Sequence, residues 1–497
     1  MSKYILGIDQ GTTGTKVIIF DKQANQVATG YSEFTQHFPQ DGWVEHDAEE
    51  IWDVTIRVVG EALKSGNIPV GDIAAIGITN QRVTTLLWDK KTGRPAARAI
   101  VWQDRRNLGI CERLIAKDRA GFEGRTGMII IPNASGPKVE WLLENNEDVR
   151  RGVEEGRLIF GNIDAWLVWK LSGGAVHVTE PSNASETLMM NATTLDWDDL
   201  MLKEMGIPRS ILPEIRSSSE IYAYTDPDVF FGAKIPIAGI CGDQQAATFG
   251  QACFEPGMAK NTYGTGSFMI MNTGDKYIPP KGQLIAPVLW QINGKHQYGL
   301  EGLVDVSGAV IQWLRDGLGI IDKPQEAEEL AKQVPDNGGV FFVPAFVGLG
   351  APHFDSYARG SILGLTRGST KHHIARAALE SMAYQVRDAF EIMKRDSGLD
   401  LLKLRVDGGG AKNDLSMQFQ ADILGIPVER PVITETTVLG AAYLAGLAVG
   451  YWNSLDEITA NWKVERVFEP QISDDQREHR YAGWKRAIER AAGWLKF

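Results

Sequence analysis

Apolar positions along the first hundred residues fall into short runs separated by polar loops, the pattern of strands joined by turns. Ile5-Leu6-Gly7-Ile8 and Val17-Ile18-Ile19-Phe20 flank the polar stretch Asp9-Gln10-Gly11-Thr12-Thr13-Gly14-Thr15-Lys16, which predicts strand, loop, strand. Residues 26–34 predict a third strand. Asp47-Ala48-Glu49-Glu50 predicts a helix start with Asp47 as N-cap, and Ile51, Thr55, Val58, Val59, Ala62 and Leu63 supply its inner face. A buried strand is expected over 73–79, ending in the polar loop Asn80-Gln81-Arg82. Extended runs follow at 84–88 and 99–102, the second delivering Gln103-Asp104-Arg105-Arg106 to its end. Residues 107–231 mix helical and loop patterns and read as insertions on a first domain.

The opening theme returns halfway along the chain. An apolar run, Pro236 to Cys241, ends in Gly242-Asp243, and a helix-forming run follows over 244–250. Residues 259–274 then read as strand, the loop Tyr263-Gly264-Thr265-Gly266-Ser267, and strand again. This echo predicts two related α/β domains, 1–250 and 251–497. Helices are expected near 307–318 and over 371–395, where Leu379, Met382, Val386, Phe390 and Met393 recur at spacings of three and four. A strand at 402–406 ends in Asp407-Gly408-Gly409-Gly410, a helix follows over 414–424, and an Ala- and Gly-rich helix over 437–449 is expected to pack closely.

Length sharpens this picture, since 497 residues exceed what one core accommodates. A formal net charge of −12 argues against nucleic acid or an anionic membrane as the main partner. Three cysteines without metal-ligand spacing, and no apolar run of spanning length, point to the cytoplasm.

Three Gly-rich loops, at 11–15, 264–267 and 408–410, join or follow strands, where ligands collect in open α/β folds. None is a Walker A loop or a dinucleotide fingerprint. The first offers glycines, hydroxyls and Lys16, groups that suit phosphates, with Asp9 placed to hold the accompanying magnesium; a plain hairpin tip is the competing reading. Asp243 stands where a carboxylate can take a proton from a substrate hydroxyl, or can cap its helix. Arg82 suits sugar hydroxyls or a transferring phosphoryl group, or a surface ion pair; Trp102 and Phe268 suit an apolar wall behind a polyol, or core packing. Asp104-Arg105-Arg106 reads as a solvated charge run.

Taken together, Asp9-Gln10-Gly11-Thr12-Thr13, Gly42-Trp43-Val44-Glu45-His46, Asn80-Gln81-Arg82, Ile100-Val101-Trp102-Gln103-Asp104, Gly242-Asp243-Gln244-Gln245, Tyr263-Gly264-Thr265-Gly266 and Val406-Asp407-Gly408-Gly409 resemble the FGGY carbohydrate kinases, over essentially the whole chain and nearest to the branch that phosphorylates glycerol. The family's second signature fits 360–380. The resemblance implies two actin/hexokinase/Hsp70-like (ribonuclease H-like) domains, with ATP and a polyol or sugar meeting in the cleft between them. It implies Thr12, Thr13, Gly14, Lys16 and Thr265 at the phosphates, and Gly308, Gln312, Gly409, Gly410 and Asn413 along the nucleotide. Asp9 and Asp243 would stand near Mg2+, with Asp243 also the general base. Arg82, Val83, Trp102, Asn133, Gln244 and Phe268 would join Asp243 in the acceptor pocket. A homodimer or homotetramer is expected.

Lys16 and Gly14 stand where glycerol-phosphorylating relatives usually carry arginine and serine, changes compatible with phosphate binding, and the important departures lie in the acceptor pocket. Glycerol-phosphorylating relatives carry glutamate after the matching arginine, where this chain has Val83, and tyrosine and commonly phenylalanine where it has Asn133 and Ala134. A lost hydrogen-bonding partner leaves a buried hydroxyl poorly paired, at about 1–3 kcal/mol each. The expected acceptor is therefore a tetritol, pentitol or ketose, with glycerol the alternative and a non-kinase ATPase of the same superfold a second. Residues 231–235 lack the Gly-Gly-Thr-Arg pattern tied to fructose 1,6-bisphosphate inhibition, and Val229 replaces the histidine phosphorylated in some relatives, so neither control is expected.

Overall fold

Leu6 and Ile8 point to one side of the first strand and Gly7 to the other, and this alternation sets the two faces of the first sheet. The computed structural model describes residues 3–351, 353 and 355–495, which divide into two compact units. The first comprises 1–254, 274–299 and 436–462; the second comprises 255–273, 300–435 and 463–497.

In the first unit, Tyr4–Gln10 pairs antiparallel with Gly14–Phe20, which pairs with Gln26–Glu33. On its other edge Tyr4–Gln10 runs parallel to Ile73–Asn80, and that strand parallel to Pro236–Gly242. Parallel pairing brings the C-terminal ends of three strands together at Gln10, Asn80 and Gly242. One face buries Leu6, Ile8, Val17, Ile76 and Ile78 against Ile51, Val58 and Val59 of the helix Ala48–Ser65. Asp47 caps that helix, accepting from Glu49 N at 2.9 Å.

The other face carries glycines, and a helix from far along the chain lies on them. A Cβ on Gly77 would fall 2.1 Å from Ala441 O, and one on Gly239 2.4 Å from Ala445 N. Gly440 lies equally close to the helix Asp243–Gly250, with an added Cβ 1.8 Å from Ala246 O. The Ala/Gly-rich helix Thr436–Ala448 thus packs closely, as its composition predicts. It packs within the first unit, however, so a division at residue 250 differs from the packing. The reason is steric: only side-chain-free surfaces on both partners permit this backbone approach.

The second unit repeats the frame. Met258–Tyr263 pairs antiparallel with Ser267–Gly274 and parallel with Lys403–Asp407, which runs parallel to Val428–Pro431. The long helix Lys371–Ser397 starts at a capping box formed by Thr370 and His373 and buries Leu379, Met382, Val386, Phe390 and Met393, the face its spacing predicts. No helix among the described residues is long and apolar enough to cross a membrane.

Candidate active site

The three parallel strand ends of the first unit each hand over polar residues. Gln81 N donates to Gln10 O at 2.8 Å, and Gln81 Nε2 donates to Gln10 Oε1 at 3.1 Å, so the first two ends are tied. The third is fixed from below. Ser182 Oγ accepts from Gly242 N at 2.8 Å and itself donates to Glu180, a fully buried carboxylate that also accepts from Ser218 Oγ and Asn183 N. Burial raises the pKa of Glu180. Gly242 leaves room for Arg82, whose Cγ and Cδ would lie 2.9 Å from an added Cβ.

Asp243 is the first residue of its helix, and Gly242 occupies the cap position, so Asp243 is not the N-cap. Its Oδ1 accepts from Gln244 N at 2.7 Å and lies 2.9 Å from Arg82 Nε. Both contacts fall on Oδ1, and the side chain is 30% exposed. Arg82 Nη1 lies 2.6 Å from Glu186 Oε1, and Gln245 Nε2 donates to the same oxygen at 3.1 Å. Arg82 is therefore held between two carboxylates, one buried and one facing out, rather than in a surface ion pair. Glu186 escapes sequence reading: it lies in the mixed 107–231 segment, where no motif marks it. Gln245 sits inside a recognisable motif, yet only its bond to Glu186 reveals a supporting part.

The first loop is supported by the same unit. Trp102 Nε1 donates to Thr12 Oγ1 at 2.8 Å, and Gln36 Nε2 donates to Thr12 O at 3.0 Å. Gln36 is held in turn by His46, whose ring burial pushes its pKa down to about 4. Thr13 is exposed and Lys16 half-buried; Asp9 is half-buried and stands opposite Lys16 and Thr79 in the ladder. Gly14 is buried, with an added Cβ 2.6 Å from Ser32 O, so it serves strand packing as well.

Val83 is buried with φ +55°, a backbone region that strains a β-branched residue. Its carbonyl accepts from Lys138 Nζ at 3.0 Å and Thr85 Oγ1 at 3.1 Å. Asn133 Oδ1 accepts from Arg105 Nη1 at 2.9 Å, and Ala134 is fully buried. Lys138 has no exposed surface, and burial pushes its pKa down to about 7.

One expectation is overturned in part here. Of the run Asp104-Arg105-Arg106, Arg105 is exposed as expected, but Asp104 is fully buried and the Arg106 side chain nearly so. Asp104 Oδ2 accepts from Val44 N at 2.7 Å and from Arg106 Nη2 at 2.8 Å, while the guanidinium lies 3.7 Å from the Trp43 ring centre. Pairing and stacking remove the solvation penalty that would keep these charges outside.

In the second unit, Gly264 and Thr265 are exposed at a hairpin tip closed by Gly264 N to Gly266 O at 2.9 Å. Their carbonyls accept from Gly308 N and Ala309 N, so the tip is bonded onto the helix Gly308–Asp316. Gly308 is required for this, since an added Cβ would lie 2.5 Å from Gly264 O. Gln312 is exposed on that helix, and Phe268 is half-buried on the second hairpin strand. Gly408, at φ +82°, turns the chain beside Tyr263, and Gly410 packs against the Tyr263 side chain. Gly409 is exposed, and an added Cβ there would meet no atom within 4 Å. Asn413 caps the helix Asp414–Leu424 through Ser416 N at 2.9 Å. Exposed hydroxyls and an open glycine fit the approach of phosphates and a nucleotide. No group of three or more His, Cys, Asp or Glu that could hold a metal occurs among the described residues.

Comparison with known proteins gives matches in both halves of the chain. Residues 4–250 match the N-terminal domain and residues 259–449 the C-terminal domain of the FGGY family of carbohydrate kinases. The chain is 57% identical over 496 residues to a glycerol kinase of Carboxydothermus hydrogenoformans, covering 99% of each chain. It is 56% identical over 497 residues to one of Petrotoga mobilis, covering 100% of each. Among solved structures, Plasmodium falciparum glycerol kinase with ADP superposes with a TM-score of 0.94 at 37% identity, covering 98% of both chains. A gluconate kinase of Lactobacillus acidophilus shares the fold, with a TM-score of 0.87 at 24% identity and 99% of both chains covered. The chain belongs to the FGGY carbohydrate kinases and is a glycerol-kinase-like phosphotransferase with an alcohol group as acceptor.

Proposed function

We propose that this enzyme transfers the γ-phosphoryl group of ATP to a hydroxyl of glycerol. The observation that carries the chemistry is the carboxylate of Asp243, fixed through Oδ1 by Arg82 at 2.9 Å with Oδ2 left to accept a proton. Phosphoryl transfer needs a positioned hydroxyl and neutralised charge more than covalent assistance. Asp243 takes the hydroxyl proton as the oxygen bonds to the γ-phosphorus and the bond from that phosphorus to the bridging oxygen breaks, the oxygen leaving with ADP, while Arg82, braced by Glu186, orients the acceptor. Thr12, Thr13, Lys16 and Thr265 hold the phosphates; Gln312, Gly409 and Asn413 line the nucleotide. Asp9 would hold magnesium, which supplies charge neutralisation at the phosphate oxygens. Glycerol as acceptor is supported by relatives at 55–57% identity over the full length that carry that name.

A second reading, a tetritol, pentitol or ketose, is favoured by one observation. Val83 is apolar and buried where glycerol-phosphorylating relatives place a carboxylate, and Asn133 spends its side-chain oxygen on Arg105. Specificity constants for triols, tetritols, pentitols and ketoses, read by ADP release, decide between them. Glycerol with the highest kcat/KM supports the first reading; a longer acceptor exceeding it by about tenfold or more replaces it with the second.

A further inference from the structure

The turn that carries Arg82 and Val83 is held by a lysine in an unfavourable place. Lys138 lies in the first turn of the helix Ser135–Asn145, where the helix dipole opposes a cation. It is fully buried, and among the described residues no carboxylate pairs with it. The neighbouring carboxylate Asp104 is engaged by Arg106. A buried ammonium without a counter-ion is costly, and an apolar side chain of the same length would fill the space without that cost. What the apolar chain lacks is donors. Lys138 Nζ donates to Val83 O at 3.0 Å and to Asn133 O at 2.5 Å, joining two carbonyls from distant segments. One belongs to the strained residue at φ +55°; the other precedes Ala134 at the start of the helix. Thr85 Oγ1 and Ser135 Oγ donate to the same Val83 carbonyl at 3.1 and 3.4 Å.

We propose that Lys138 is a positioning residue of the acceptor site: its bonds to the Val83 and Asn133 carbonyls hold the strained turn that aims Arg82 at Asp243. Fully buried and bonded to two backbone carbonyls, Lys138 acts through Arg82 and the two segments it joins. The inference rests on the kinase reading above but not on glycerol as the acceptor.

The test is the kinetics of Lys138→Met, alone and with Val83→Gly, on whichever polyol the unaltered enzyme phosphorylates fastest. Lys138→Met is expected to raise the acceptor KM by about tenfold or more while the ATP KM stays within about twofold. Val83→Gly in that background is expected to recover about threefold of the loss, because glycine takes φ +55° without strain. Thr85→Val removes one donor to the same carbonyl and is expected to raise the acceptor KM by about threefold. An unchanged acceptor KM, an equal rise in both KM values, or no recovery with Val83→Gly overturns the proposal. If Lys138→Met does not fold, Thr85→Val decides: an unchanged acceptor KM overturns it. A failure of glycerol as substrate overturns only the acceptor assignment, since the variants are then read on the better polyol.

Discussion

The hairpins at 4–20 and 258–274 share one plan with one exchange. In each, the leading strand pairs antiparallel with its partner and parallel with a distant strand. In the first unit aspartate stands on the hairpin strand and threonine opposite, Asp9 facing Thr79. In the second the order is reversed, Thr262 facing Asp407. The third parallel strand also differs. Pro236–Gly242 hands over Asp243 directly, whereas Val428–Pro431 runs into Val432, and no carboxylate follows until Glu435. The repeat is thus a backbone frame, and a carboxylate directly after the third parallel strand is present in one copy.

The largest expected effect tests that asymmetry at its centre. Asp243→Asn should lower kcat by about 10²–10⁴-fold with an unchanged melting temperature; turnover within about tenfold of the unaltered enzyme would move the base elsewhere. The exchanged carboxylates come next. On the proposal that Asp9 and the phosphates share the ion, Asp9→Asn should raise the magnesium concentration for half-maximal rate by about tenfold, read in a metal titration at saturating ATP.

Glycines in the two units should then separate stability from binding. Gly77→Ala forces a Cβ to within 2.1 Å of Ala441 O and should cost about 2–3 kcal/mol in urea unfolding, with turnover per folded molecule retained. Gly409→Ala meets open space, so stability should hold while the ATP KM rises, as measured by initial rates.

The smallest effect concerns the support behind the first loop. Burial keeps His46 neutral with its pKa down to about 4, whereas the unfolded chain takes that proton near its ordinary value of about 6.5. Between those values the unfolded state binds more protons, so stability falls as pH falls. His46→Gln should remove that slope, so that its melting temperature drops a few degrees less than the unaltered enzyme's between about pH 7 and about pH 5.

Features written in local spacing were legible in the sequence. The hairpins, the Asp47 cap and the apolar face of Lys371–Ser397 each depend on residues within a few turns of one another. The Ala/Gly composition of Thr436–Ala448 announced close packing but not its partner, because Gly77 and Gly239 carry no side chain to signal a contact. Burial of Asp104 and Arg106 was hidden for a related reason: Val44, Glu45, Trp43 and Trp141, which make it tolerable, lie far away in the chain. Glu186 stayed invisible because a lone acid carries no period. In the site, residue types pointed to the chemistry, but the backbone at Val83, turned to φ +55° and held by Lys138, had no signature.

The helix Thr436–Ala448 bears on how this chain is made. Its backbone fills grooves against Gly77, Gly239 and Gly250 that no side chain lines, so the first unit remains open on that face until the helix arrives. A nascent chain leaving the ribosome must therefore wait for residues 436–462 before its first unit closes, although the strands that carry Asp9, Arg82 and Asp243 emerge within the first half of synthesis. During that interval a glycine-paved sheet face stands bare, and the N-terminal half by itself is an unfinished body rather than an independently folding module.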